Sequence, residues 1–105
     1  MSEHHVLLVC GSGASSGFLA ANIRKAAANR DLPIEIIARS ESALEDYLKE
    51  IDCLMVGPHM ANMYEELVHE CEGYPIKVQI IDRTVYSHLD GEGALNQILA
   101  LFDEK

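Results

Sequence analysis

The sequence has few basic residues. Eight Lys and Arg side chains stand against 17 Asp and Glu, which gives a formal net charge of -9. A chain this acidic repels the phosphate backbone of nucleic acids, and it has no polybasic face for anionic lipid. We therefore expect no nucleic-acid partner and no direct membrane insertion.

Long hydrophobic runs are also missing. The longest run near the start is Val6-Leu7-Leu8-Val9, and it follows Glu3-His4-His5 rather than lysines. About 18 consecutive apolar residues are needed to span a bilayer, and a secretory segment begins with positive charge. The pattern predicts a cytoplasmic protein.

Cysteine is scarce as well. The chain has three cysteines, an odd number, and no Cys-x-x-Cys pair. These features indicate neither a disulfide framework nor a four-ligand zinc site. The histidines show no metal-binding spacing either: none forms an i, i+4 pair with another histidine. We expect no metal and no cofactor.

Short apolar runs alternate with helix-like patterns along the chain. Runs typical of strands cover residues 6–9, 34–38, 53–56 and 76–80. Between and after them, apolar residues recur at helical spacing. These residues are Leu19, Ile23, Ala26 and Ala27; Leu44, Tyr47, Leu48 and Ile51; Met60, Met63, Tyr64, Leu67, Val68 and Cys71; and Leu95, Ile98, Leu99 and Phe102. Ser42 and Glu45 match a capping box at the start of the second helix.

This alternation predicts an α/β fold. We expect one domain over residues 1–105, a three-layer sandwich in which helices cover both faces of a four-stranded parallel sheet of order 2-1-3-4. The last strand alternates apolar residues with Lys77 and Gln79, which favours a position at the sheet edge. In this order, the ends of strands one and three meet, so Cys10 should face the Gly57-Pro58-His59 turn.

A loop of small residues follows the first strand and precedes the first helix. It begins with Cys10 and ends where Phe18-Leu19 opens the helical pattern. Small residues let backbone N–H groups point at an anion, and a helix N-terminus favours negative charge. The same field favours the thiolate form of Cys10, which makes this residue the predicted nucleophile. The predicted phosphate-binding residues are Gly11, Ser12, Gly13, Ala14, Ser15, Ser16 and Gly17.

Other chemically capable residues have simpler roles. Cys53 and Cys71 lie in apolar patterns and are expected to fill the core. His59 is expected to be exposed or to cap a turn, without a catalytic role. Asp82 follows the last strand, where a carboxylate is usually a turn or cap residue.

These motifs resemble the enzyme IIB component of the lactose, cellobiose and chitobiose family of the bacterial phosphotransferase system. The similarity extends from about Val6 to Phe102 and includes Leu7-Leu8-Val9-Cys10, Val56-Gly57-Pro58, Ile81-Asp82 with Tyr86, and Asp90-Gly91 with Gly93. It implies that Cys10 takes a phosphoryl group from a histidine of enzyme IIA. The phosphoryl group then passes to a sugar of the cellobiose, chitobiose or lactose class held by membrane enzyme IIC. Family members usually have Gln where this chain has His59.

Two alternatives stay open at this point. A low-molecular-weight phosphotyrosine phosphatase or arsenate reductase also places a cysteine loop between its first strand and first helix. The loop of such a phosphatase has the pattern Cys-x-x-x-x-x-Arg, however, and the sixth residue after Cys10 in this chain is Ser16. The other alternative is a non-enzymatic anion-binding regulatory module with an unreactive cysteine.

Overall fold

The computed structural model describes residues 4–9 and 14–102, and for residues 14–16 it describes the backbone only. Four strands are present in this part of the chain: β1 (His4–Val9), β2 (Ile34–Arg39), β3 (Cys53–Val56) and β4 (Lys77–Ile80). The helices are α1 (Ala14–Asn29), α2 (Leu44–Tyr47), α3 (Tyr64–Glu70), α4 (Arg83–Ser87) and α5 (Gly91–Phe102). Two 3₁₀ segments cover Glu41–Ala43 and Pro58–Met63.

The strands form one parallel sheet of order β2-β1-β3-β4. This order confirms the predicted α/β topology, with β4 at the sheet edge. The apolar run of β1 is continuous because both faces of this central strand are covered. Val6 and Leu8 contact the core beneath α1 and α5, whereas Leu7 and Val9 contact the core beneath α2 and α3.

The first helix ends in a Schellman motif. The N–H of Leu32 donates to the carbonyl of Ala27 at 2.9 Å, and the N–H of Asp31 donates to the carbonyl of Ala28 at 3.2 Å. Asp31 has a φ of 55°, the left-handed conformation that this motif needs. Leu32 packs against the core, which directs the chain into β2.

The capping box predicted at Ser42 and Glu45 is wrong. Ser42 lies within the Glu41–Ala43 3₁₀ turn, and its Oγ is 2.8 Å from Oγ of Ser40. Ala43 occupies the N-cap of α2, where it offers no side-chain hydrogen bond. Because a 3₁₀ turn leads into α2, the preceding turn of backbone takes the place of a capping side chain.

The apolar stripe that starts at Met60 spans two segments rather than one helix. Met60 has φ -109° and ψ 22°, which are not helical values, so a 3₁₀ segment precedes α3. Met60, Leu67 and Cys71 are nevertheless buried together against β3, as expected for core residues. The short helix α4 was not predicted, since its five residues give no clear apolar period.

Candidate functional site

The ends of β1 and β3 lie side by side. Val9 pairs with Val56 in the parallel register, and the N–H of Gly57 donates to the carbonyl of Val9 at 3.0 Å. Val9, the last residue of β1, and the Gly57-Pro58-His59 turn therefore lie at the same carboxyl-terminal end of the sheet. The sequence predicts that the ends of these two strands meet. In sheets of this type, ligands bind at the carboxyl ends of the strands.

Cys10, Gly11, Ser12 and Gly13 lie outside the described residues, so their predicted roles stay predictions. The helix α1 begins at Ala14, four residues earlier than the expected start at Phe18. Ala14, Ser15, Ser16 and Gly17 therefore form the first helical turn rather than the end of a loop. The prediction missed this start because serine and glycine have weak helix preference and also favour turns.

This first turn suits an anion for a reason that does not depend on side chains. The first four N–H groups of a helix have no carbonyl partner within the helix, and they lie at the positive end of its dipole. No acidic residue occupies the first turn of α1. The backbone of residues 14–17 thus offers N–H donors with no carbonyl partner within α1, at the carboxyl-terminal end of the sheet where β1 ends.

No packing contact with the described residues requires glycine at position 17. A Cβ atom added there would meet nothing within 4 Å. Glycine within a helix costs roughly 0.5–1 kcal/mol relative to alanine. The fold of the described residues therefore does not require glycine at this position.

His59 lies at the same carboxyl-terminal end of the sheet, just after β3. Its side chain is exposed, in line with the sequence expectation. Its ring centroid is 5.3 Å from that of Tyr86, with the rings tilted by 46°. Tyr86 belongs to α4, so this pair joins the turn after β3 to the helix after β4. Sequence reasoning missed this contact because the two residues are far apart in the chain.

Asp82 is the N-cap of α4. Its Oδ2 accepts hydrogen bonds from the N–H groups of Thr84 at 3.1 Å and Val85 at 3.3 Å. Its own N–H donates to Oε1 of Gln97 at 2.8 Å, which ties the cap to α5. The expected capping role is confirmed.

The carboxyl-terminal end of the sheet also carries a basic residue that the sequence alone did not place there. Arg39 ends β2 and pairs with Val9, the residue directly before Cys10. Its side chain is exposed, and Nη1 donates to the carbonyl of Ala38 at 2.8 Å. No Lys or Arg occurs between Cys10 and Phe18 in the sequence. The pairing of β2 with β1 is what brings the positive charge of Arg39 to this end of the sheet.

The other two cysteines are core residues, as predicted. Cys53 and Cys71 are both buried. Burial raises the pKa of the Cys53 thiol to about 12, and the nearby Asp52 carboxylate adds to this effect. Burial also raises the pKa of Cys71, with a smaller contribution from Glu70. Neither thiol is a nucleophile at neutral pH, because the thiolate is the reactive form.

The glycines after Asp90 have structural roles. A Cβ on Gly91 would lie less than 3.0 Å from the backbone of Asn22, so glycine lets α5 begin in contact with α1. Asp90 caps α5, with its Oδ1 accepting from the N–H of Gly93 at 3.0 Å. The Asp90-Gly91-x-Gly93 motif is thus explained by helix packing and capping.

Within residues 4–9 and 14–102, no helix combines the length and the apolar character needed to cross a bilayer. The same described residues contain no group of three or more His, Cys, Asp or Glu side chains placed to hold a metal ion.

Comparison with known proteins identifies the family. Residues 5–97 match the family described as "PTS system, Lactose/Cellobiose specific IIB subunit", where PTS denotes the phosphotransferase system. The chain is 31% identical over 96 residues to the oligo-beta-mannoside-specific EIIB component of Bacillus subtilis (strain 168), covering 91% of this chain and 93% of that protein. It is 32% identical over 103 residues to the lactose-specific EIICB component of Lactococcus lactis subsp. lactis, covering 96% of this chain but only 18% of that longer protein.

Solved structures show the same fold. The lactose-specific IIB component domain from Streptococcus pneumoniae superposes with a TM-score of 0.87 at 22% identity, covering 97% of this chain and 100% of that one. The cellobiose-specific phosphotransferase IIB component from Borrelia burgdorferi superposes with a TM-score of 0.74 at 27% identity, covering 96% and 93%. The chain therefore belongs to the lactose/cellobiose-specific IIB subunit family of the phosphotransferase system, whose members are phosphotransferases of sugar uptake.

Proposed function

We propose that Cys10 carries the phosphoryl group, which it receives from a phosphohistidine of enzyme IIA. The observation that carries this proposal is that Cys10 follows the last residue of β1 in the chain, in the short segment that leads to α1. Cys53 and Cys71 are buried and protonated at neutral pH, which leaves Cys10 as the candidate thiolate. In the transfer, the sulfur attacks phosphorus, an S–P bond forms, and the P–N bond to the donor imidazole breaks.

Backbone N–H groups of residues 11–17 hold the phosphate in this proposal. The N–H groups of the first turn of α1, which have no carbonyl partner within the helix, and the absence of acidic residues in that turn support it. Gly11, Ser12 and Gly13 complete the cradle before the helix, and Ser15 and Ser16 supply hydroxyl groups. The phosphoryl group then passes to a hydroxyl oxygen of the sugar, and the S–P bond breaks to return the thiolate.

The sugar is held by membrane enzyme IIC and belongs to the cellobiose, chitobiose or lactose class. Support comes from the matched family and from the Lactococcus lactis relative, whose name joins IIC and IIB in one protein. With a net charge of -9 and no bilayer-spanning helix among its described residues, the domain suits transfer in the cytoplasm. We assign residues 1–105 to a single IIB domain.

A phosphoryl carrier fits this chain better than a phosphatase. The phosphatase pattern needs an arginine fork six residues after the nucleophile, where this chain has Ser16. Arginines that stabilise the transition state of phosphoryl transfer can be worth about 10³-fold or more in rate. Without one, hydrolysis of the cysteinyl phosphate is slow, which keeps the group available for the sugar.

The test is phosphorylation of the intact protein, followed by mass spectrometry. The protein is incubated with phosphoenolpyruvate, the general phosphotransferase proteins and a lactose/cellobiose-type IIA. We expect one added phosphoryl group on the wild type, none on Cys10→Ser, and one on the matched control Cys71→Ser. A phosphoryl group on Cys10→Ser would show that another residue is the carrier.

A second assay separates the carrier from the phosphatase. The purified protein alone is incubated with para-nitrophenyl phosphate, and release of nitrophenol is followed. We expect no release above that of Cys10→Ser. Robust release that depends on Cys10 would establish the phosphatase instead.

A further inference from the structure

A cavity of about 90 Å³ opens between the short helix α2 and the amino-terminal ends of β1 and β2, and we call it the α2 cavity. Its lining includes His5 of β1, Glu35 and Ile37 of β2, Tyr47 of α2, and Glu50 and Ile51 of the turn that leads to β3. Cys10 follows the opposite, carboxyl-terminal end of β1 in the chain. The α2 cavity is therefore separate from the proposed phosphate site.

Backbone hydrogen bonds hold the walls of the α2 cavity in place. The N–H groups of Glu50 and Ile51 donate to the carbonyl of Tyr47, at 2.8 and 3.1 Å. The N–H of Asp52 donates to the carbonyl of His5 at 2.8 Å, and Oδ2 of Asp52 accepts from the N–H of His5 at 3.0 Å. The fold therefore forms this cavity without help from a ligand, as is usual for binding sites of small molecules.

Part of the lining is apolar. Ile51 is buried, and Ile37 packs against the same core. Tyr47 also packs against this core, but its hydroxyl group makes no hydrogen bond among residues 4–9 and 14–102. Such a lining suits a small ligand that carries both an apolar part and a polar group.

The charged part of the lining is acidic. The parallel register pairs His5 with Glu35, and Oε1 of Glu35 lies 3.2 Å from Nδ1 of His5, which positions this carboxylate at the cavity. Glu50 adds a second carboxylate, which has no hydrogen bond or ion pair within the described part of the chain. No Lys or Arg is among the residues that line the cavity. A ligand with a positive charge is therefore favoured.

The size of the cavity and its donor set narrow the class of ligand. A cavity of about 150 Å³ takes benzene, so the α2 cavity takes about four non-hydrogen atoms. The described residues include no group of three or more His, Cys, Asp or Glu side chains placed to hold a metal ion, which favours an organic cation. We propose that the α2 cavity binds a small alkylammonium ion, whose ammonium group pairs with Glu35 and Glu50 and whose alkyl chain contacts the apolar lining. This site goes beyond the proposed function and does not depend on Cys10.

The experiment is a titration with propylammonium chloride, followed by amide proton–nitrogen correlation spectra. We expect saturable shifts at residues 5, 35 and 50–51, with a Kd in the millimolar range because so small a ligand makes few contacts. Propanol, which has the same size but no charge, and sodium chloride at the same ionic strength are the control titrants. Equal binding of propanol, or equal shifts in sodium chloride, would overturn the proposal.

Carboxamide variants test the two carboxylates. Glu35→Gln keeps the size of the side chain and removes its charge, so we expect the Kd to rise about threefold, and about tenfold in Glu35→Gln/Glu50→Gln. Glu45→Gln is the matched control, since Glu45 is exposed on α2 but does not line the cavity, and its Kd should match that of the wild type. An unchanged Kd in the double variant, or an equal rise in Glu45→Gln, contradicts the assignment.

This titration needs no phosphoryl transfer, which separates the α2 cavity from the proposed function. Cys10→Ser should bind propylammonium with the Kd of the wild type. That result would support the α2 cavity even if another residue proves to be the phosphoryl carrier. Loss of binding in Cys10→Ser would place the ligand elsewhere, and no binding by the wild type would overturn the α2 cavity while phosphorylation of Cys10 could still be observed.

Discussion

Replacement of Gly91 by alanine tests how tightly α1 and α5 are packed. The added Cβ would lie less than 3.0 Å from the carbonyl oxygen, the carbonyl carbon and the Cβ of Asn22. Two of these three atoms belong to backbone, which a rotamer change cannot move. The two helices must therefore separate, or α5 must begin later.

The size of the effect follows from two contributions. Overpacking of a close contact typically costs about 1–3 kcal/mol in the free energy of unfolding. Separation of the helices also strains the hydrogen bond from Nδ2 of Asn22 to the carbonyl of Leu89, which is 2.8 Å long. We expect Gly91→Ala to lose about 2 kcal/mol, which lowers the Tm of a domain of this size by about 8–16 °C.

The assay is thermal and urea unfolding followed by circular dichroism. Gly17→Ala is the matched control, since it adds the same methyl group to α1 in open space and should stabilise the protein by about 0.5–1 kcal/mol. Opposite signs for the two glycines are the expected result. A Gly91→Ala protein as stable as the wild type would refute the close contact between α1 and α5.

Three further changes in stability are expected. Asp31→Gly should stabilise the protein by about 0.5–1 kcal/mol in urea unfolding, because glycine adopts the φ of 55° without strain; a loss would contradict the backbone argument. Asp82→Ala should cost about 1 kcal/mol in the same assay, through loss of the α4 N-cap; no loss would show that the cap is dispensable. The pKa of Cys53 is raised from 9.0 to about 12 in the folded state, so the folded protein binds more protons than the unfolded chain between these values. Stability should therefore fall with rising pH by up to about 1.4 kcal/mol per pH unit in that window, and Cys53→Ala should show a shallower slope than the wild type.

The local sequence pattern was sufficient to predict the sheet and the apolar residues that pack on its two faces. The unbroken apolar run of β1 indicated a central strand, and the alternation at Lys77 and Gln79 indicated the edge; both are confirmed. Cys53, Cys71 and Asp82 also have the roles that their neighbours in sequence suggested. These features depend on residues a few positions apart, and periodicity reports such relations directly.

Element boundaries depended on competing local preferences that the sequence does not rank. Serine and glycine occur both in turns and at helix starts, so the sequence did not show that α1 begins at Ala14 rather than at Phe18. At Ser42, the 3₁₀ turn takes the place of the predicted capping box.

By itself, the sequence determined the α/β class, the edge character of the last strand and the small-residue segment after β1, because each follows from local pattern. Only the tertiary structure decided which distant residues meet. Strand pairing brings Arg39 beside Val9, and packing brings His59 to Tyr86 and Gly91 to Asn22. The exposure of Phe18 was settled in the same way, since a side chain stays in solvent only when no other element covers it. Contacts between residues far apart in the chain depend on how whole layers pack, and no local period encodes them.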